Sequence, residues 1–321
     1  MKKRWGLAAF VLGTVCLLGG WTAPYDRHSW DSPLDLAALA AFDRQEPGGL
    51  YRAGDYLVQA EPALEPAMAA HAGELFQRIC EENLGESAGR TYLAVVPGKH
   101  AFLAGDRPAL DWQELTRAVA DCAPALTPVG LGTVLSAEDY YRTDAHWRQE
   151  ALLPAAEYLC GVLGVPGASG SHETKTYPVP FAGDYLRDLP LAPDQLNYLT
   201  GPGMEEITVT RYDLMGRPHT GLLYDRLRAR EGEGYNLFLS GAQGLLVLEN
   251  PAAATERELI LFRDSFGSSL APLLAESYCR VTLVDLRYFP SYLLGETLDF
   301  HGQDVLFLYS TLLLNNSLAL R

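Results

Sequence analysis

Four short runs in this chain, 92–96, 258–262, 281–286 and 304–309, are apolar almost throughout instead of at alternate positions. A strand with one wet face alternates polar and apolar residues, so near-continuous runs of this length predict strands covered on both faces. Helical periodicity fills the gaps, at 64–83, 112–122, 152–163 and 268–277, with Leu270, Leu273 and Leu274 on the inward side of the last. A further apolar run, 129–135, completes a strand, helix, strand unit with 92–96 and 112–122. The alternation predicts a three-layer α/β fold, a parallel sheet flanked by helices. A chain of 321 residues, about half of them apolar, can bury one full-sized core of this kind with an insertion, or two small ones.

The rest of the chain is organised around that core. Residues 175–234 are rich in Pro, Gly, Asp and Tyr with short alternating stretches such as 207–212, which predicts a β-rich insertion suited to substrate recognition. Residues 24–60 form a linker with short β structure near 54–58, and the domain proper is expected over 61–321. At the start, Lys2, Lys3 and Arg4 precede an apolar stretch from 5 to 21, the layout of a signal peptide or signal anchor over 1–23. That stretch reaches about 25 Å as a helix, marginal for a hydrocarbon core of roughly 30 Å. Trp21 stands where cleavage near Ala23 would want a small residue, and Val15 before Cys16 suits lipoprotein processing poorly, so retention is expected. Basic residues ahead of the segment leave the bulk of the chain outside the cytoplasm, anchored to the membrane or secreted.

With 25 Lys and Arg against 40 Asp and Glu, the net charge is −15 and the only dense positive run counted is at residues 2–4, which argues against nucleic acid as a partner. Cys80, Cys122, Cys160 and Cys279 lie far apart with no CxxC, so they are buried thiols or one or two disulfides, not a zinc site. No cofactor and no metal is expected. A metal site on Asp144 and His146 lacks further ligands at recognisable spacing.

Chemistry concentrates at two places. Ser265 follows the strand 258–262 and precedes a helix, the carboxyl edge where ligands collect in a parallel sheet. Two roles are open to it: a helix cap, or a nucleophile with the helix N-terminus, at Phe266 and Gly267, supplying N–H groups to an oxyanion. The second place is Asp144-Ala145-His146-Trp147. A serine hydroxyl needs a base to take its proton, and an imidazole works best when a carboxylate fixes its tautomer. On an extended segment Asp144 and His146 project to one face, so His146 can meet both Asp144 and Ser265; the alternative is a surface Asp and a His packed beside Trp147.

The segment Tyr140-Tyr141-Arg142-Thr143-Asp144-Ala145-His146-Trp147, with Asp264-Ser265-Phe266-Gly267 and Val284-Asp285-Leu286-Arg287-Tyr288-Phe289, resembles the bacterial DHHW family from about residue 49 onward. That family is similar to the alginate O-acetyltransferase proteins, whose domains are SGNH-hydrolase-like and flavodoxin-like in layout. The resemblance implies a triad of Ser265, His146 and Asp144 that moves an acetyl group through an acyl-serine. The expected activity is an O-acetyltransferase or acetylesterase on a cell-surface or exported polysaccharide, with a membrane protein as one source of the acetyl donor. The competing reading is a non-catalytic glycan-binding or envelope-assembly protein. Ala145 stands where the family has its first His, and Arg263 replaces the glycine usual before Asp-Ser, where it either steers an anionic substrate or blocks the turn. Further oxyanion donors are Gly241, Asn315 and Asn316. Tyr141 and Trp147, with Tyr140, are candidates to stack on sugar rings, and Lys99 and His100 lie at a suitable sheet edge.

Overall fold

The computed structural model describes residues 49–321 apart from 62, 86–89, 168–170, 214 and 232–233, so the expected signal anchor and most of the linker lie outside the described residues. In chain order the strands are β1 (Leu50–Ala53), β2 (Tyr56–Gln59), β3 (Thr91–Val96), β4 (Thr127–Val129), β5 (Glu173–Thr176), β6 (Asn197–Thr200), β7 (Thr208–Tyr212), β8 (Pro218–Thr220), β9 (Leu245–Glu249), β10 (Glu258–Arg263), β11 (Arg280–Val284) and β12 (Asp304–Ser310). The longer helices are α1 (Pro66–Asn83), α2 (Trp112–Asp121) and α3 (Leu153–Leu163), followed by the short α4 (Arg226–Glu231) and by α5 (Phe266–Leu274).

The apolar runs do what their composition requires. Along β10 and β12 successive residues enter opposite cores: Leu259, Leu261, Leu306 and Leu308 join Leu159 of α3 and Leu270 and Leu274 of α5. Ile260, Phe262, Val305 and Phe307 join Phe76 of α1 and Leu115 and Val119 of α2. Each such side chain contributes about 2 kcal/mol on leaving water, which is why these central strands tolerate no alternation.

The main sheet has eight strands in the order β4-β3-β12-β10-β11-β9-β7-β8. The five from β4 to β11 are parallel, as expected, but β9 runs antiparallel to β11 and to β7, so the sheet is mixed. The link from β9 to β10, residues 250–257, carries no helix. A chain that reverses direction can return through a short loop, whereas a parallel partner demands a long crossover. The region 175–234, expected as a β-rich insertion, contributes strands to two sheets. β5 and β6 form a separate hairpin-like pair, but β7 and β8 extend the main sheet. Of the strand expected over 129–135 only Val129 is in a strand, as the last residue of β4, and a 3₁₀ turn follows at Leu131–Val134. A Cβ at Gly132 would lie 2.7 Å from both Pro97 and Trp112, so here the chain folds over the end of β3.

Charge departs from expectation at α4, where Arg226, Arg228 and Arg230 make a local positive cluster within a strongly acidic chain. The four described cysteines are free thiols, and burial, with Glu81 nearby, pushes the Cys80 thiol up to about 12. Among the described residues no helix is long and apolar enough to cross a membrane, and no group of three His, Cys, Asp or Glu side chains is placed to hold a metal ion.

Candidate active site

Ser265 is the first residue after the turn that ends β10, and its backbone is already helical (φ −59°, ψ −27°). Its hydroxyl does not cap the helix. That work falls to Asp264, whose Oδ1 accepts the Phe266 N–H at 3.0 Å while Oδ2 accepts the Ser310 N–H at 2.8 Å from the end of β12. The serine hydroxyl is thereby left for another partner, and it lies 2.7 Å from His146 Nε2.

His146 reaches it from a loop that is not extended. Tyr140 and Trp147 form an antiparallel bridge, and the residues between them curl so that Asp144 Oδ1 accepts the His146 backbone N–H at 3.0 Å. The same oxygen lies 2.6 Å from His146 Nδ1. The two-residue spacing thus works through an Asx turn instead of the shared face of a strand. The second carboxylate oxygen accepts the Asp184 N–H at 3.1 Å. Burial alone would raise the Asp144 carboxyl, but the His146 charge and these hydrogen bonds outweigh it and hold it down near 2. His146 is pulled down by burial and lifted further by Asp144, Asp184 and Asp264, so its imidazolium is favoured relative to an ordinary histidine.

Asp194 and Lys99 anchor the loop from two sides. Asp194 accepts from the Thr143 N–H (2.8 Å), the Thr143 hydroxyl (2.6 Å) and Arg142 Nε (3.0 Å). Lys99 is buried beneath it and donates from Nζ to the carbonyls of Tyr141 (2.7 Å) and Arg142 (3.2 Å). Burial lowers this ammonium to about 7 against the pull of Asp144 and Asp194. Its neighbour His100 is also buried, held by the Tyr51 hydroxyl and the Pro108 carbonyl. Neither is a solvated edge residue.

Several expected site residues have other work. Trp147 is fully buried and donates from Nε1 toward the Phe266 carbonyl (3.0 Å) and Ser269 Oγ (2.9 Å), tying the histidine loop to α5. Tyr140 is buried with its hydroxyl on the Pro97 carbonyl, and Tyr141 is buried edge-on to Phe181. None of the three presents a face for a sugar. Arg263 is likewise fully buried, 3.5 Å from Asp285, which also holds Arg287 through two bonds at 2.9 and 2.8 Å. It neither meets a soluble anion nor blocks the turn, because Gly267 makes room: a Cβ there would lie 2.7 Å from the Arg263 Cβ.

The oxyanion donors fare similarly. The Phe266 N–H is bound by Asp264 Oδ1, and those of Gly267 and Gly241 close turns onto the carbonyls of Asp264 and Phe238, each at 3.1 Å. Asn315 spends its amide on Glu65 N and Ala63 O, and Asn316 is exposed with its N–H on the Leu313 carbonyl. The Ser265 N–H enters none of these turns. Residues unmarked by any local motif complete the arrangement: Asp184, Asp194 and Tyr235, whose ring stacks on His146 with centroids 3.9 Å apart. No short sequence signal announces them, since each acts across a fold-level separation.

No family model and no curated protein sequence matches the chain. Solved structures do. A DHHW family protein from Eubacterium siraeum superposes with a TM-score of 0.64 at 19% identity, over 84% of this chain and 93% of that one. The fold is SGNH-hydrolase-like. Bacillus cereus PatB1, solved with a sulfonyl adduct, shares it with a TM-score of 0.62 at 20% identity, over 83% of this chain and 95% of its own. The O-acetyltransferase domain of Pseudomonas putida AlgJ follows with a TM-score of 0.50 at 15% identity, over 83% and 92%. The likeness to DHHW and alginate-acetyltransferase proteins expected from the motifs is thus present at the level of the whole fold.

Proposed function

We propose that this chain is an acyl-serine enzyme, an O-acetyltransferase or acetylesterase acting on a cell-surface or exported polysaccharide. The observation that carries the reading is the unbroken line from Asp144 through His146 to Ser265, with hydrogen-bonding distances of 2.6 and 2.7 Å. His146 Nε2 takes the hydroxyl proton as Ser265 Oγ attacks the acetyl carbonyl, and Asp144 steadies the imidazolium. The Ser265 N–H, which closes none of the turns at the start of α5, is the donor left for the developing oxyanion. Collapse returns the proton to the leaving group, and a sugar hydroxyl or water, deprotonated by His146, then takes the acetyl group. The shared fold of the AlgJ O-acetyltransferase domain supports this class of chemistry.

The test is acetyl release from p-nitrophenyl acetate by the full chain in detergent. Ser265→Ala and His146→Ala are expected to lose at least about 10³-fold in kcat/KM at unchanged folded content, and a sulfonyl fluoride is expected to modify Ser265 in the wild-type chain alone. Activity equal to that of the variants, without sulfonylation, would overturn the reading in favour of a glycan-binding or envelope-assembly role. The occupied N–H groups of Phe266 and Gly267 are the observation on which that second role rests.

The basic start and apolar stretch of residues 2–21 support a membrane-tethered, extracytoplasmic location, beside a membrane donor of acetyl groups. A periplasm-active reporter fused after Arg321 is expected to be active. Activity of a cytoplasm-only reporter at the same point would reverse the assignment.

A further inference from the structure

Tyr235 takes no part in the steps above, yet its ring lies flat on the imidazole of His146, the planes 13° from parallel. Its own position is strongly determined. The hydroxyl lies 2.8 Å from Ser269 Oγ, the same atom that receives Trp147 Nε1 at 2.9 Å, so one serine of α5 fixes both Tyr235 and the residue next to His146. Tyr141 meets the Tyr235 ring edge-on at 6.3 Å, and Phe238 lies tilted against the same ring at 5.0 Å. Phe266 packs against the imidazole at 4.9 Å. With only 6% of its surface exposed, Tyr235 is not a platform for a soluble sugar.

The consequence follows from charge. An imidazole is neutral before proton transfer and cationic after it, and a cation over the face of a tyrosine ring is attracted by the ring quadrupole. The charged groups acting on this imidazole are Asp144, bonded to Nδ1, and the carboxylates of Asp184 and Asp264; Ser265 and Tyr235 are its uncharged polar neighbours. We propose that Tyr235 is a positioning residue for His146, holding the imidazole in the plane that joins Asp144 to Ser265 and stabilising its protonated form through the ring face. The proton still passes only from Ser265 Oγ to His146 Nε2 and back, and Tyr235 neither gains nor loses one. The catalytic meaning of this contact rests on the acyl-serine reading, whereas the contact itself does not.

The experiment is an NMR titration of the full chain labelled at histidine Cε1, with the His146 signal assigned by its loss in His146→Gln. Tyr235→Leu is expected to lower the His146 pKa by about half to one unit, and Tyr235→Phe, which keeps the ring face, to hold it within about 0.2 unit of wild type. Tyr235→Met replaces the leucine variant if the latter does not fold. In acetyl release, Tyr235→Leu is expected to lower kcat about tenfold with KM retained. A His146 pKa unmoved by loss of the ring, or lowered equally in Tyr235→Phe, would overturn the proposal. If the wild-type chain releases no acetyl group but the titration shifts as expected, the acyl-serine reading fails alone. If Ser265-dependent release is present and the titration does not shift, only the role of Tyr235 falls.

Discussion

Asp144 holds His146 at two points with one oxygen, through the backbone N–H and through Nδ1, and so fixes the ring before any substrate arrives. The electrostatic result is a histidine that titrates above its ordinary 6.5: burial pulls it down, but Asp144, with Asp184 and Asp264, lifts it further. A general base works only when neutral. Acetyl release is therefore expected to rise with pH to a midpoint above 6.5 in kcat/KM, and a midpoint at or below that value would contradict the pairing. Stability runs the other way. A raised histidine stabilises the fold fully below 6.5 and loses that contribution as pH climbs through its folded value. Asp144, held near 2, contributes above its ordinary 3.8 and loses its share as pH falls toward 2. At this scale the motifs marked Asp144, His146 and Ser265, which the structure brings into hydrogen-bonding reach of one another. They did not show that Tyr141, Trp147 and Arg263 are buried, because the same polar and aromatic groups that attract substrate can equally brace a loop, and only burial tells the two apart.

Among the elements, the segment between α3 and β9 does more than decorate the sheet. It supplies the Asp184 N–H to Asp144, the Asp194 carboxylate to Thr143 and Arg142, and the Tyr235 ring to His146. Gly183 shows how close this approach is: a Cβ there would lie 2.3 Å from the Thr143 carbonyl oxygen and 2.6 Å from the Asp144 Cβ. Gly183→Ala is expected to displace the turn and break the Asp184 contact, costing about 1–3 kcal/mol. A lower midpoint of urea unfolding with unchanged slope, together with slower acetyl release, would report it; an unaltered midpoint would mean the turn yields freely. The central strands and long helices were readable because their periodicity records which faces meet a core. The short β4 was not, since Gly132 must fit against Pro97 and Trp112, neither of which lies within its own run. Nor was β9 placed, although its residues are as apolar as those of β10: composition marks burial on both faces without giving direction.

Across the whole molecule, distant parts of the chain meet at the carboxyl edge of the sheet. Thr311, just past β12, donates to the buried Glu61 carboxylate and accepts the Gly98 N–H, so the two ends of the domain close on the residue beside Lys99. Burial, only partly offset by that hydroxyl, raises Glu61 to about 7, a carboxyl kept largely as its acid below neutral pH. The sequence alone determined the α/β class and the chain positions of the central strands and long helices, and it singled out Ser265, His146 and Asp144 as candidates, because each depends on residue type and on neighbours a few positions away. Tertiary structure decided that His146 and Ser265, 119 residues apart, are in contact, that the sheet is mixed, which N–H groups are already spent, and that Tyr235 covers the imidazole. Those outcomes depend on which surfaces pack together, and packing is a property of the whole chain that no local pattern encodes.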